Sequence, residues 1–434
     1  MERRKGQPTI TEQVRKTTAM GTGASTVEKH ESTTSMVNYE PRDPKSVMFN
    51  SARTGNEKDL TLVLQQGMDP NERESQFSRT LSRFLCMAVF IIPLFSHSLR
   101  ALHFTARHGH SHCLEILIKY GADVTAEDFY GWQAIHEAAL NGHIDCLASL
   151  LEKGAKVDSA TYNNNGPNTP LHYAARHGYV ESVRLLLMYG ADWKSVNNFG
   201  ETPLHCTAMR GYVDCMQTLV RAGADINSET RDGLTPAYFS AVCGHSRYLK
   251  EVIKQGTDIN RKYKAIQTTL LHKAAEAGQI KVLKALLRRG ANTEIHSGSQ
   301  SFTPIHLAAR MGQDKGVELL IKYGANMEAL SAKGYTPLHH ASRCGKLEVG
   351  KVLIASGANI NAISEADHET PLHMCVQKHD REFTKLLIKA NADLNIRDSR
   401  GNRPIDMKHL NDDVVNILRA AMFEKERVNT ATTS

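Results

Sequence analysis

Apolar residues recur along most of the chain as two short bursts followed by a polar stretch, and then the pattern starts again. The segment TPLHYAARHGYVESVRLLLMYGAD from Thr169 shows one period. Leu171, Ala174 and Ala175 mark one face of a short helix. Thr169 offers its hydroxyl as a cap, Pro170 occupies the first helical position where no amide donor is needed, and Gly178 stops the helix. Val180, Val183, Leu186 and Leu187 then fall at helical spacing in a second helix that ends at Gly190, a residue suited to a left-handed cap. The small residues of the first helix let its neighbours approach closely, and the polar stretch predicts a projecting loop.

The same letters return at fixed intervals. TPLH begins at Thr169, Thr202, Thr336 and Thr370, TPAY at Thr235, TLLH at Thr269 and TPIH at Thr303, with steps of 33, 33, 34, 34, 33 and 34 residues. QAIH at Gln133 and RALH at Arg100 extend the series backwards. The second stop is Gly67, Gly121, Gly154, Gly190, Gly223, Gly256, Gly290, Gly324, Gly357 and then Asn391, the next residue best suited to that conformation. No unit can bury its apolar face alone, so the units must stack.

This series resembles the ankyrin repeat family, over about Ser46 to Met422. The resemblance implies an all-α solenoid of helix-turn-helix units with projecting loops, nine central repeats and a capping unit at each end. The expected organisation is a polar, disordered tail over 1–46, an N-terminal capping repeat over 47–80, an apolar insert over 81–100, nine repeats over 101–402, a degenerate half-repeat over 403–422 and a disordered tail over 423–434.

The insert interrupts the register. Matching ARTG at Ala52 with ARHG at Ala106 gives a step of 54 residues, and cutting Leu81–Arg100 returns Thr80 to the missing cap position in a step of 34. The apolar run Phe84–Phe95 has 12 residues including Pro93, against roughly 17 to 25 for a bilayer span. Our reading is a non-native segment at a loop tip, such as a short unspliced intron translated in frame. Transcript reads that cross from Thr80 to Ala101 with no skipped form would overturn it. The alternative is a partner-binding or membrane-touching loop.

Composition narrows the function classes. The formal charge of +7 permits an acidic partner without demanding nucleic acid, and no dense basic stripe or stacking platform is present. The polar N-terminal stretch and the lack of CxxC pairs point to reduced thiols and a cytoplasmic or nuclear setting. Eight of the 21 histidines, from His103 to His373, hold the fourth signature position, one per repeat, which suits turn-to-turn hydrogen bonds better than a metal. Cys113, Cys146 and Cys215 share a core slot, whereas Cys243 and Cys344 fall at first-helix ends expected to be exposed. With no phosphate-cradling loop and no nucleophile elbow, the expectation is no catalytic residue, metal or cofactor, and a monomer with no membrane span.

The positions that the repeat does not dictate carry the functional expectation. The resemblance implies a concave surface made of loop tips and the last residues of each first helix. There stand Arg107, His108, Arg176, His177, Arg210, Arg310 and Arg343, part of a row in which seven Arg or Lys face one Glu. That row predicts a positive groove for an acidic partner segment. The tip DFYGWQ adds Phe129, Tyr130 and Trp132, and Phe302 and Tyr335 hold the residue before their Thr; aromatic and Arg side chains are enriched in binding hot spots. Arg176→Glu is expected to leave folding nearly intact. The predicted function is a non-enzymatic scaffold or adaptor, with a ubiquitin-ligase substrate adaptor or an enzyme's regulatory subunit as alternatives.

Overall fold

The computed structural model describes residues 43–74, 100–162 and 166–432. The apolar run of the insert and most of the N-terminal tail lie outside the described residues. The chain falls into two compact units, Met1–Thr230 and Arg231–Ser434.

In the first unit the helices run in pairs: α1 (Pro44–Thr54) and α2 (Glu57–Gln65), α3 (Ala101–His108) and α4 (Ser111–Lys119), α5 (Ala134–Asn141) and α6 (Ile144–Glu152), α7 (Pro170–His177) and α8 (Val180–Met188), α9 (Pro203–Arg210) and α10 (Val213–Arg221). The second unit pairs α11 (Pro236–Val242) with α12 (Ser246–Lys254), α13 (Leu270–Glu276) with α14 (Ile280–Leu287), α15 (Pro304–Met311) with α16 (Asp314–Lys322), α17 (Pro337–Arg343) with α18 (Leu347–Ala355) and α19 (Pro371–Gln377) with α20 (Arg381–Lys389). It closes with a 3-10 turn (Pro404–Asp406) and α21 (Asp412–Thr432). Every regular element among the described residues is helical, as the repeat predicts.

First helices pack on first helices and second on second within each unit. The core between them is aliphatic: Leu171, Ala174, Val183 and Leu186 are all fully buried. Hydrophobic burial of these stripes stabilises the stack, since a single nine-residue helix is marginal in water. One requirement comes from close approach. Gly109 ends α3 at φ 77°, and a Cβ there would meet the His143 ring of the next repeat at 2.5 Å.

The last helix differs from the expected polar half-repeat and tail. It continues past Met422 to Thr432, anchored by buried Val414, Leu418 and Ala421 and by Lys425 Nζ, which donates to the Ala392 carbonyl at 2.7 Å.

The insert's flanks meet in regular stacking. Arg73 and Arg100 form an antiparallel bridge, and Asn71 Nδ2 donates to the Gly121 carbonyl at 3.1 Å. His110 Nε2 bonds the Arg53 carbonyl at 2.9 Å, as His143 Nε2 bonds the Arg107 carbonyl at 3.0 Å one repeat later. The first pair is thus docked like any other. Arg100, however, caps α3 with a side chain that cannot accept, and its Nε is buried without a partner among the described residues. Deleting residues 81–100 would put Thr80 there, able to pair with His103 Nδ1 as Thr169 Oγ1 pairs with His172 Nδ1 at 2.9 Å. The shortened chain should be more stable by about 1 kcal/mol, read as a higher urea midpoint; a lower midpoint would show that the segment is part of the fold.

Candidate partner-binding surface

The signature histidines are structural. Each Nδ1 accepts from the amide of its own cap residue, at 3.2 Å for Thr169 and 3.1 Å for Thr303, Thr336 and Thr370. Each Nε2 reaches a carbonyl of the next turn: Trp132 from His103, Glu201 from His172, Tyr335 from His306 and Glu369 from His339, at 3.0 to 3.1 Å. The amide donor fixes the neutral Nε2–H tautomer. Burial pushes the pKa of His103, His136, His172, His272, His306 and His339 down to about 4, against the upward pull of those hydrogen bonds. Among the described residues no group of three His, Cys, Asp or Glu could hold a metal ion, and no helix is long and apolar enough to cross a membrane.

The arginine row is not uniformly positive. At three places in the first unit the residue after a signature histidine meets the first-helix arginine of the preceding repeat: Phe104 meets Arg53, Glu137 meets Arg107 and Cys206 meets Arg176. Arg107 grips Glu137 through both nitrogens, Nε to Oε2 at 3.1 Å and Nη2 to Oε1 at 2.5 Å. Arg176 Nη2 donates to Cys206 Sγ at 3.7 Å and stands 3.7 Å from Glu201 Oε2. Arg53 lies 4.4 Å over the Phe104 ring and pairs with Glu74. The expected positive groove is therefore interrupted in the first unit, because carboxylates 21 to 30 residues downstream, outside the row, pair with three of its members. Arg210 is exposed with no ion pair among the described residues, as are His108 and His177 beside it in kind.

The aromatic tip also divides. Phe129 is 86% exposed and meets Tyr130 edge-on at 5.5 Å. Trp132 instead packs against Tyr173 at 4.7 Å and His136 at 5.5 Å, so its ring braces the next repeat. Its Nε1 is buried without a partner among the described residues.

In the second unit the predicted residues converge. Phe302, Arg310, Tyr335 and Arg343 line one cavity of about 540 Å³ between α15, α17 and their preceding turns. Phe302 and Tyr335 are 9% and 4% exposed, and the Tyr335 hydroxyl donates to Asp367 at 2.6 Å. Burial, then that carboxylate, push the phenol well above its usual range. Arg310 lies 5.9 Å over the Phe302 ring. Neither Arg310 nor Arg343 has an ion pair among the described residues, and both are exposed.

Two residues here escaped the sequence reading. His340 and Lys333 line the same cavity. His340 holds the slot after the signature histidine, where Leu307 and Met374 stand in adjacent repeats, and a second histidine directly beside the signature one was the available signal.

Comparison with known proteins follows the same lines. A family model described as ankyrin repeats (three copies) matches residues 91–161, 171–263, 262–331 and 305–398. A human protein named protein phosphatase 1 regulatory subunit 27 is 28% identical over 164 residues, which cover 37% of this chain and 78% of that protein. The mouse protein of that name is 36% identical over 102 residues, 24% of this chain and 43% of that protein.

Proposed function

The chain belongs to the ankyrin repeat family, and from that premise we propose that it is a non-catalytic scaffold or adaptor that holds a protein partner on its loop tips and first-helix ends. The observation that carries this reading is the exposure of large or charged side chains where the fold does not need them. Phe129 projects from its tip, and Arg210, Arg310 and Arg343 stand at first-helix ends without counter-ions among the described residues. Exposed aromatic and Arg side chains are the groups that supply most binding energy at interfaces. Affinity purification of the full chain beside a Phe129→Ala/Arg210→Glu variant tests it. Partners lost from the variant at unchanged circular dichroism support the assignment. An unchanged partner list moves function off these residues.

A second reading is favoured by the relatives. The partner is an enzyme that this chain regulates, and protein phosphatase 1 is the first candidate because both similar proteins carry its name. Titrating the full chain into the catalytic subunit, by calorimetry and by phosphatase rate, should give saturable binding and a changed rate. No heat and no change in rate would remove this candidate.

A further inference from the structure

The cavity between α15 and α17 combines features that a merely structural cleft does not need. Arg310, Lys333 and Arg343 bring three cations to it, and no carboxylate lines it. Glu369 is close enough to feel Arg343, yet none of its oxygens forms an ion pair with that guanidinium, and Asp367 is engaged by the Tyr335 hydroxyl. Phe302 and Tyr335 supply aromatic walls.

The second, independent observation is His340. Its side chain is 6% exposed and lines the cavity, enclosed by Phe302 at 5.0 Å, His306 at 5.5 Å and Tyr335 at 5.8 Å. Its Nε2 has no hydrogen-bond partner among the described residues. Burial, then the neighbouring His306, His339, Arg343 and Arg310, lower its pKa to about 3, so the imidazole is neutral. It cannot repel a cation strongly, and it cannot neutralise one either. In the first unit the same slot carries Glu137, which saturates Arg107. Here the slot leaves Arg310 unsatisfied.

Exposed, unpaired cations beside a buried imidazole with an unused nitrogen suit an anionic ligand with more than one oxygen. We propose that this cavity binds a phosphate monoester carried on an aromatic side chain of the partner, with the phosphate between Arg310, Lys333 and Arg343 and the ring against the cavity-facing edges of Phe302 and Tyr335. A dianionic phosphate with three acceptor oxygens matches three cations better than a single carboxylate does. Arg forms paired hydrogen bonds to such oxygens, and ring faces add stacking with the guanidinium. The proposal rests on the partner-binding reading and specifies one determinant of it.

Cys344 provides the test, since its thiol is exposed at the cavity and Cys243 is exposed in the same unit but does not line it. The full chain is treated with a neutral maleimide, with and without phenyl phosphate, and labelling of the two cysteines is followed by peptide mass spectrometry. At a phenyl phosphate concentration ten times its Kd, Cys344 labelling should slow about tenfold while Cys243 labelling is unchanged. Phenylacetate should protect several-fold less. Arg343→Glu should abolish protection, and Arg310→Gln should weaken it should the first variant fail to fold. Equal labelling with and without phenyl phosphate, protection that survives both variants, or equal protection by phenylacetate overturns the phosphate assignment. If phenyl phosphate fails while Phe129→Ala/Arg210→Glu still strips partners, the cavity proposal alone falls. If protection holds and the partner list is unaffected, the loop-tip reading falls instead.

Discussion

Acidification from pH 6.5 to about 4 is expected to collapse the helical signal in a steep transition. Six signature histidines have folded-state pKa values near 4 and an ordinary value of 6.5, three of them in each unit. Above pH 6.5 the imidazole is neutral in both states and the folded state suffers no penalty. Below it the unfolded chain takes up protons that the folded chain refuses, so stability falls as pH drops and continues to fall until the folded pKa is reached. Each such group contributes about 1.4 kcal/mol per pH unit within that window, so three contribute roughly 4 kcal/mol per pH unit to each unit as an upper bound. Against a stability of about 5 to 8 kcal/mol, the lower part of the usual range, that slope empties the folded state within one or two pH units. The refusal comes first from burial, which penalises the imidazolium, and Nδ1 would also have to give up the amide donor of its cap residue to take a second proton. Far-ultraviolet circular dichroism against pH measures the transition. A signal that stays flat down to pH 4 would mean that the histidines remain solvated enough to protonate in place.

The local grammar of the fold was legible because it is written within one repeat. Thr and Pro at a helix start, His at the fourth position and Gly at each stop act over four to twenty residues, and the structure places helices at those positions. The charge balance of the surface was less legible, because some first-helix arginines are answered by residues outside the row and others are not. Arg107 meets Glu137 and Arg176 meets Cys206, in each case 30 residues on. Reading only the arginine positions counts charge without its counter-charge. The same spacing leads from Arg310 to His340, which brings no carboxylate, whereas Arg53 and Arg176 find Glu74 and Glu201 at other spacings that the row does not reveal. In the aromatic tip Phe129 and Trp132 stand three residues apart, yet Phe129 is exposed and Trp132 is half-buried against the next repeat. Which ring turns toward the next repeat depends on Tyr173, a residue of α7 about 40 positions away.

Leu186→Ala is expected to cost roughly 2 to 5 kcal/mol, the usual range for a buried leucine whose neighbours cannot close the cavity. Leu186 is fully buried in α8, which packs against α6, α7 and α10, so a void there weakens contacts to both adjacent repeats. In a stack held by nearest-neighbour interfaces, losing one interface divides the unit, and the urea transition should broaden as well as move to lower concentration. Two arginine reversals calibrate this result. Arg210→Glu changes an exposed side chain and should stay within about 0.5 kcal/mol of the parent. Arg176→Glu is no longer expected to be silent: it removes the donor to buried Cys206 and sets a carboxylate beside Glu201, at a cost of about 1 to 2 kcal/mol after allowance for its partial exposure. The order Leu186→Ala, Arg176→Glu, Arg210→Glu in urea midpoint follows from burial and pairing alone. If Arg176→Glu matched Arg210→Glu, the contact with Cys206 would contribute nothing, and Arg176 would rejoin the exposed cations available to a partner.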